Sequence, residues 1–119
     1  MQWTWQRGSL SWDQSRGIAL DSEGSAFLTG HTYGSLDGQS YAGGTDFFLM
    51  NFDASGAWQW ARQRGTSSWG QSRGIALDSE GNAFLTVYAY GSLDGQSYLG
   101  STDILLMKFD ASGGWQWTR

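Results

Sequence analysis

Short apolar runs, each closed by a turn, recur along the whole chain. In Gly17 to Asp21, Ile18 and Leu20 face one way and Gly17 and Ala19 the other, the period-two alternation of a strand. Ser22-Glu23-Gly24 is turn chemistry, and Ala26 to Thr29 reads as a second strand. Asp46 to Phe52 carries Phe47 and Leu49 on one face and Phe48, Met50 and Phe52 on the other. Asp53-Ala54-Ser55-Gly56 is another tight turn, and Ala57 to Arg64 a fourth strand. Between the second and third strands, Tyr33 to Thr45, lies a Gly/Ser/Asp-rich loop. Four short strands in sequence predict a β-meander.

The pattern then repeats. W-x-Q-S-R-G-I-A-L-D-S-E-G starts at Trp12 and returns at Trp69, an offset of 57 residues, and laying 2–62 on 59–119 gives 45 identities in 61 positions. The repeats are placed at about 9–65 and 66–119. Their inner strands are apolar on both faces, whereas a sandwich strand alternates apolar and polar. No segment is long enough to supply a covering helix. The fold class that remains is all-β, a β-propeller: four-stranded blades stacked face to face around an axis.

Two blades do not close a ring, since propellers have about four to eight. Each end of the pair is expected to expose a full apolar blade face, more than the few hundred Å² that a soluble monomer shows. The expected partner is therefore the chain itself, in a head-to-tail ring. A homotrimer of six blades is preferred over a homotetramer of eight. Residues 2–8, Q-W-T-W-Q-R-G with Trp3 and Trp5, match 59–65, Q-W-A-R-Q-R-G, and are expected to complete a neighbouring chain's last blade. Trp58 and Trp60, like Trp115 and Trp117, lie two apart and are expected on one strand face, packed against the next blade. Arg16 and Arg73, each in S-R-G before an inner strand, are expected to pair with an Asp of a neighbouring blade, with an anion site on the axis as the alternative.

Composition narrows the function. There are 8 Trp, 5 Tyr and 6 Phe but a single Val, so large aromatic areas are buried or bound. Net charge is −4 and Lys108 is the only lysine, which argues against a nucleic-acid partner. Without Cys there is no disulfide framework, thiol catalysis or thiolate metal site. No apolar run approaches the roughly 18–20 residues of a membrane helix, so no membrane partner is expected. No signal peptide is read at the start of the chain, and the compartment stays open.

Candidate chemistry is sparse. Asp21, Glu23, Asp37, Asp46 and Asp53 recur one period later, but Asp21 and Asp53 sit where a carboxylate caps its own turn, and Asp37 precedes Gly38. No D-x-D-x-D-G calcium spacing occurs. His31, the only histidine, has Tyr88 as its counterpart and reads as a solvent-facing loop residue. No histidine base stands in register with a serine. We therefore expect no catalytic residue, metal or cofactor. Ligand contact, with a glycan or peptide, is assigned to Trp12 and Trp69 in the loop before each inner strand and to Tyr33, Tyr41, Tyr90 and Tyr98 around the long loops.

The unit R-G-I-A-L-D-S-E-G-N-A-F-L-T, then G-S-L-D-G-Q, then T-D-I-L-L-M-K-F-D-A-S-G and W-Q-W resembles the bacterial SBBP β-propeller repeat. The resemblance covers nearly the whole chain, twice. It implies a propeller, often in large surface or secreted proteins, with no catalytic residues and no common ligand. Departures are Leu and Phe where the family has Val, Ser101 for a Gly, and Val87-Tyr88 where the first repeat has Gly30-His31. Family members usually carry many copies, which points here to an excised or engineered fragment. The function expected is a non-enzymatic, self-assembling scaffold or interaction module. The alternative is a multivalent carbohydrate-binding, lectin-like propeller that gains avidity from repeated sites.

Overall fold

The computed structural model describes residue 8 and residues 13–34, 46–65, 70–89 and 103–119. Eight strands run in chain order: β1 (Asp13–Leu20), β2 (Ala26–Thr32), β3 (Asp46–Phe52), β4 (Trp58–Arg64), β5 (Gly70–Leu77), β6 (Ala83–Ala89), β7 (Asp103–Phe109) and β8 (Trp115–Thr118). They form two four-stranded sheets of order β1-β2-β3-β4 and β5-β6-β7-β8, antiparallel throughout. The meander expected for each repeat is present. β1 starts at Asp13 rather than Gly17 because the register shift between Ser15 and Gly17 accommodates Arg16 as an extra residue and lets pairing continue.

The turns explain why the strands stop where they do. Asp21 Oδ1 accepts the amides of Glu23 and Ser25, both at 2.9 Å, and the Gly24 amide donates to the Asp21 carbonyl at 3.1 Å. Asp53, Asp78 and Asp110 build the same turn. Hydrogen bonds from Ser55 to Asp53, from Asn82 to Asp78 and from Ser112 to Asp110 hold these three carboxyls below their ordinary value. The capping role expected of Asp21 and Asp53 is thus observed.

Laterally paired residues share a sheet face. In the first sheet one face carries Phe27, Thr29, Leu49 and Trp60, and the other Ile18, Leu28, Met50 and Phe52. The second sheet repeats this, with Phe84, Thr86, Leu106 and Trp117 on one face and Ile75, Leu85, Met107 and Phe109 on the other. The main core joins Phe27, Phe47 and Leu49 of the first sheet to Ala83, Leu85, Val87, Leu105, Met107 and Phe109 of the second, flanked by Trp60, Ile75 and Leu77. The Met107 face therefore rests on the Phe27 face, and unlike faces meet. β5 is the strand of the second sheet that lies along β1, β2 and β3. The small inner-strand residues fit this, since a Cβ on Gly17 would stand 3.4 Å from Ile75 Cγ2.

Three expectations are corrected. First, the outer faces are not fully bare. Ala26, Phe48, Met50, Phe52 and Ala61 form a second buried cluster, and exposure concentrates on Ile18 (63%) and Leu20 (64%) at one end and Ile104 (85%) and Leu106 (40%) at the other. Ile75 and Leu77, their counterparts, pack against the core because a sheet lies over β5. Second, Trp58 and Trp60 do not share a face. Trp60 pairs with Asn51 and Trp58 with Phe52, so the bulge between them reverses the alternation. The same shift separates Trp115 and Trp117. Third, His31 is neither in a loop nor solvent-facing. It lies within β2, between Gln14 and Phe47, and is 3% exposed. β2 runs on to Thr32, which carries His31 into the buried pairing.

Candidate functional site

A buried hydroxyl pair joins the two sheets at their junction. Thr29 Oγ1 donates to the Phe48 carbonyl at 2.8 Å, and the Ser72 hydroxyl is hydrogen-bonded to Thr29 Oγ1 at 2.6 Å. A carbonyl only accepts, so the single Thr29 proton goes to Phe48 and Ser72 supplies the proton of the second bond. Both side chains are fully buried. β2 places Thr29, and the stretch of β5 just before its bulge places Ser72.

The outer half of the junction is an arginine–tryptophan clamp. Arg62 donates from Nε to the Gly113 carbonyl at 3.0 Å and from Nη2 to the Ser112 carbonyl at 3.2 Å. Its guanidinium sits 4.9 Å from the Trp60 ring centroid. Trp60 meets Phe27 edge-on at 6.0 Å and lies so close to Gly113 that a Cβ there would fall 2.9 Å from its ring. Arg64 stacks on Trp115 of the second sheet at 4.7 Å. Of the tryptophans assigned to blade packing, Trp60 and Trp115 thus contact the other sheet. Trp117 stays on its own, edge-on to Phe84 and under Arg119 at 5.0 Å. Trp58 is partly exposed on the opposite face.

At the inner strands, Arg73 donates from Nη2 to the Tyr88 hydroxyl at 3.2 Å and stacks 5.0 Å from that ring. Tyr88 is also hydrogen-bonded to Gln71. Among the described residues, Arg73 therefore engages a tyrosine rather than an aspartate. Arg16 is exposed and makes no salt bridge among the described residues. Burial, with Arg16 and Arg73 nearby, pushes the His31 pKa below 6.5. Its Nδ1 has no hydrogen-bond partner among the described residues. A neutral, buried imidazole edge-on to Tyr33 at 6.1 Å is a packing residue.

A cleft of about 400 Å³ opens between the two D-S-E-G turns, with Leu20, Phe27 and Leu77 as apolar lining and Asp21, Glu23, Asp78 and Glu80 around them. Asp21 and Asp78 are engaged in their own turns. Among the described residues, no group of three or more His, Cys, Asp or Glu is placed to hold a metal ion. Tyr33 is half-buried against His31. Trp3, Trp5, Trp12, Tyr41, Trp69, Tyr90 and Tyr98 lie outside the described residues, as does the strand expected at 2–8, Gly8 excepted.

Sequence reasoning missed Thr29, Arg62, Ser72 and Gly113. Their signal was available in the exact return of Thr29 as Thr86, Arg62 as Arg119, and Ser15 as Ser72. Residues 2–37 match the family model of the SBBP β-propeller repeat. No curated protein matches the chain.

Proposed function

Because the chain carries an SBBP-type β-propeller repeat, we propose that it is a propeller module without catalytic activity, a self-assembling scaffold whose ring is completed by further copies. The observation that carries this reading is the contact of unlike faces, the Met107 face of one sheet on the Phe27 face of the other. Stacking of that kind leaves an unlike pair of faces at the two ends, and a second copy offers the same pair. Association is then heterologous, and a suitable rotation closes it into a ring. Three copies give six blades and four give eight.

The return of Q-W-T-W-Q-R-G as Q-W-A-R-Q-R-G supports residues 2–8 as an outer strand in a neighbour's last blade. The non-enzymatic reading is supported by where the reactive side chains are engaged. The turn aspartates hold turns, His31 is buried in a strand, and the Thr29 and Ser72 hydroxyls bind each other across the junction.

Native mass spectrometry of the 119-residue chain tests the proposal. The expected mass is three or four times 13.1 kDa. A folded species of 13.1 kDa overturns the assembly reading.

A further inference from the structure

Resting on that reading, we propose the surface by which one copy receives the next. Ser15, Ile18 and Leu20 on β1 of one copy pack on Gly74, Thr86 and Leu106 on β5–β7 of another, and a Ser15–Thr86 hydroxyl pair sets the register.

The inference comes from a 57-residue shift of a junction that is already built. Ser72, Ile75 and Leu77 on β5 lie against a surface that includes Gly17, Thr29 and Leu49. Moved back one period, the first three become Ser15, Ile18 and Leu20; moved forward, the others become Gly74, Thr86 and Leu106. All six identities are kept, in a chain whose repeats differ at 16 of 61 aligned positions. Burial differs sharply. Thr29 and Ser72 are fully buried, whereas Ser15 and Thr86 are exposed. Leu49 is 1% exposed and its counterpart Leu106 40%.

The free surface also has the right shape. Among the described residues, only Thr86 Oγ1 comes near a Cβ built on Gly74, at 3.1 Å, whereas Gly17 already faces Ile75. An isoleucine methyl fits over Gly74 as Ile75 fits over Gly17. Ala26, Phe48, Met50, Phe52 and Ala61 bury the middle of the Met50 face within the chain, so apart from Trp58 on β4 the apolar surface left for a partner is the β1 strip. That strip matches the part of the internal junction that β5 makes with β1, β2 and β3. Thr86 is also the hydroxyl that a second Ser15 needs. An apolar ligand of other chemistry would leave both hydroxyls to be desolvated without partners.

The chain contains no cysteine, so introduced thiols report without background. In the double variant Ser15→Cys/Thr86→Cys, mild oxidation is expected to give covalent multiples of 13.1 kDa on a non-reducing gel. Each single variant is expected to stay at the chain mass. Thr29→Cys/Ser72→Cys, which closes within one chain, is the positive control. A second variant, Leu106→Glu, leaves the internal junction intact and is expected to reduce the assembled species to 13.1 kDa. If the unmodified chain assembles but the double variant gives no covalent multiples, or the single variants cross-link equally, this surface is wrong while the scaffold reading stands. Assembly unchanged by Leu106→Glu also overturns it. A folded, monomeric unmodified chain removes both.

Discussion

Arg62 and Gly113 are joined across the two sheets, the guanidinium Nε donating to the glycine carbonyl at 3.0 Å while Trp60 lies against the same glycine. The bond is charge-assisted and comes with a second one to Ser112. Arg62→Ala is expected to destabilise the chain by about 1.5–3 kcal/mol. Arg62→Lys is expected to recover only part of this, because an ammonium lacks the planar fork. Urea unfolding followed by tryptophan fluorescence measures both, and equal stability of Arg62→Ala and the unmodified chain refutes the clamp.

The hydroxyl pair gives an ordering. Thr29→Val keeps the side-chain shape but removes the bond to the Phe48 carbonyl and leaves the Ser72 hydroxyl buried without its Thr29 partner, at a cost of about 1–3 kcal/mol. Ser72→Ala leaves Thr29 its bond to Phe48 and is expected to cost less. The reverse ranking in a denaturant series means that the proton assignment at Thr29 is wrong.

Two glycines separate backbone strain from collision. Gly24 and Gly113 have φ of 86° and 89°, so alanine at either carries the left-handed penalty of about 1–2 kcal/mol. A Cβ on Gly24 meets Ala54 Cβ at 3.4 Å, an ordinary contact, whereas on Gly113 it meets the Trp60 ring at 2.9 Å. Gly113→Ala is therefore expected to lower Tm more than Gly24→Ala, and the difference should shrink when Trp60→Leu is added.

Acid acts in two windows. The folded-state pKa of His31 is lowered from 6.5, so the unfolded chain takes up that proton first. Stability is then expected to fall as pH drops below 6.5 toward the folded value, and His31→Phe to flatten that segment of a Tm-against-pH curve. Asp53, Asp78 and Asp110 have pKa values lowered from 3.8, so their contribution is complete above 3.8 and is lost as pH falls through the folded values. A His31→Phe curve identical to that of the unmodified chain between about pH 7 and 5 contradicts the first part.

Much of this fold was readable from local chemistry. The D-x-x-G turns announced themselves because an aspartate capping its own amides and a glycine at positive φ are both local requirements. Strand alternation predicted β3 to the residue. What escaped was what alternation cannot carry. The bulge opposite Asn51 and Phe52 sends Trp58 and Trp60 to opposite faces although they stand two apart. The partner of Thr29 lies 43 residues away, and no periodicity links them. His31 was misplaced because β2 extends past the apolar run that suggested its end.

Stacking by unlike faces gives the pair of sheets a polarity, like an arrow with a distinct head and tail. A two-fold dimer needs like surfaces to meet, here the face that carries Ile104 and Lys108 against the same face of the other copy. An arrow has no such self-match. Copies added tip to tail keep one direction, so every D-x-x-G turn emerges on the same rim. The wedge angle between neighbouring sheets, and no special stopping contact, then decides whether the series curls shut or runs on as a fibre.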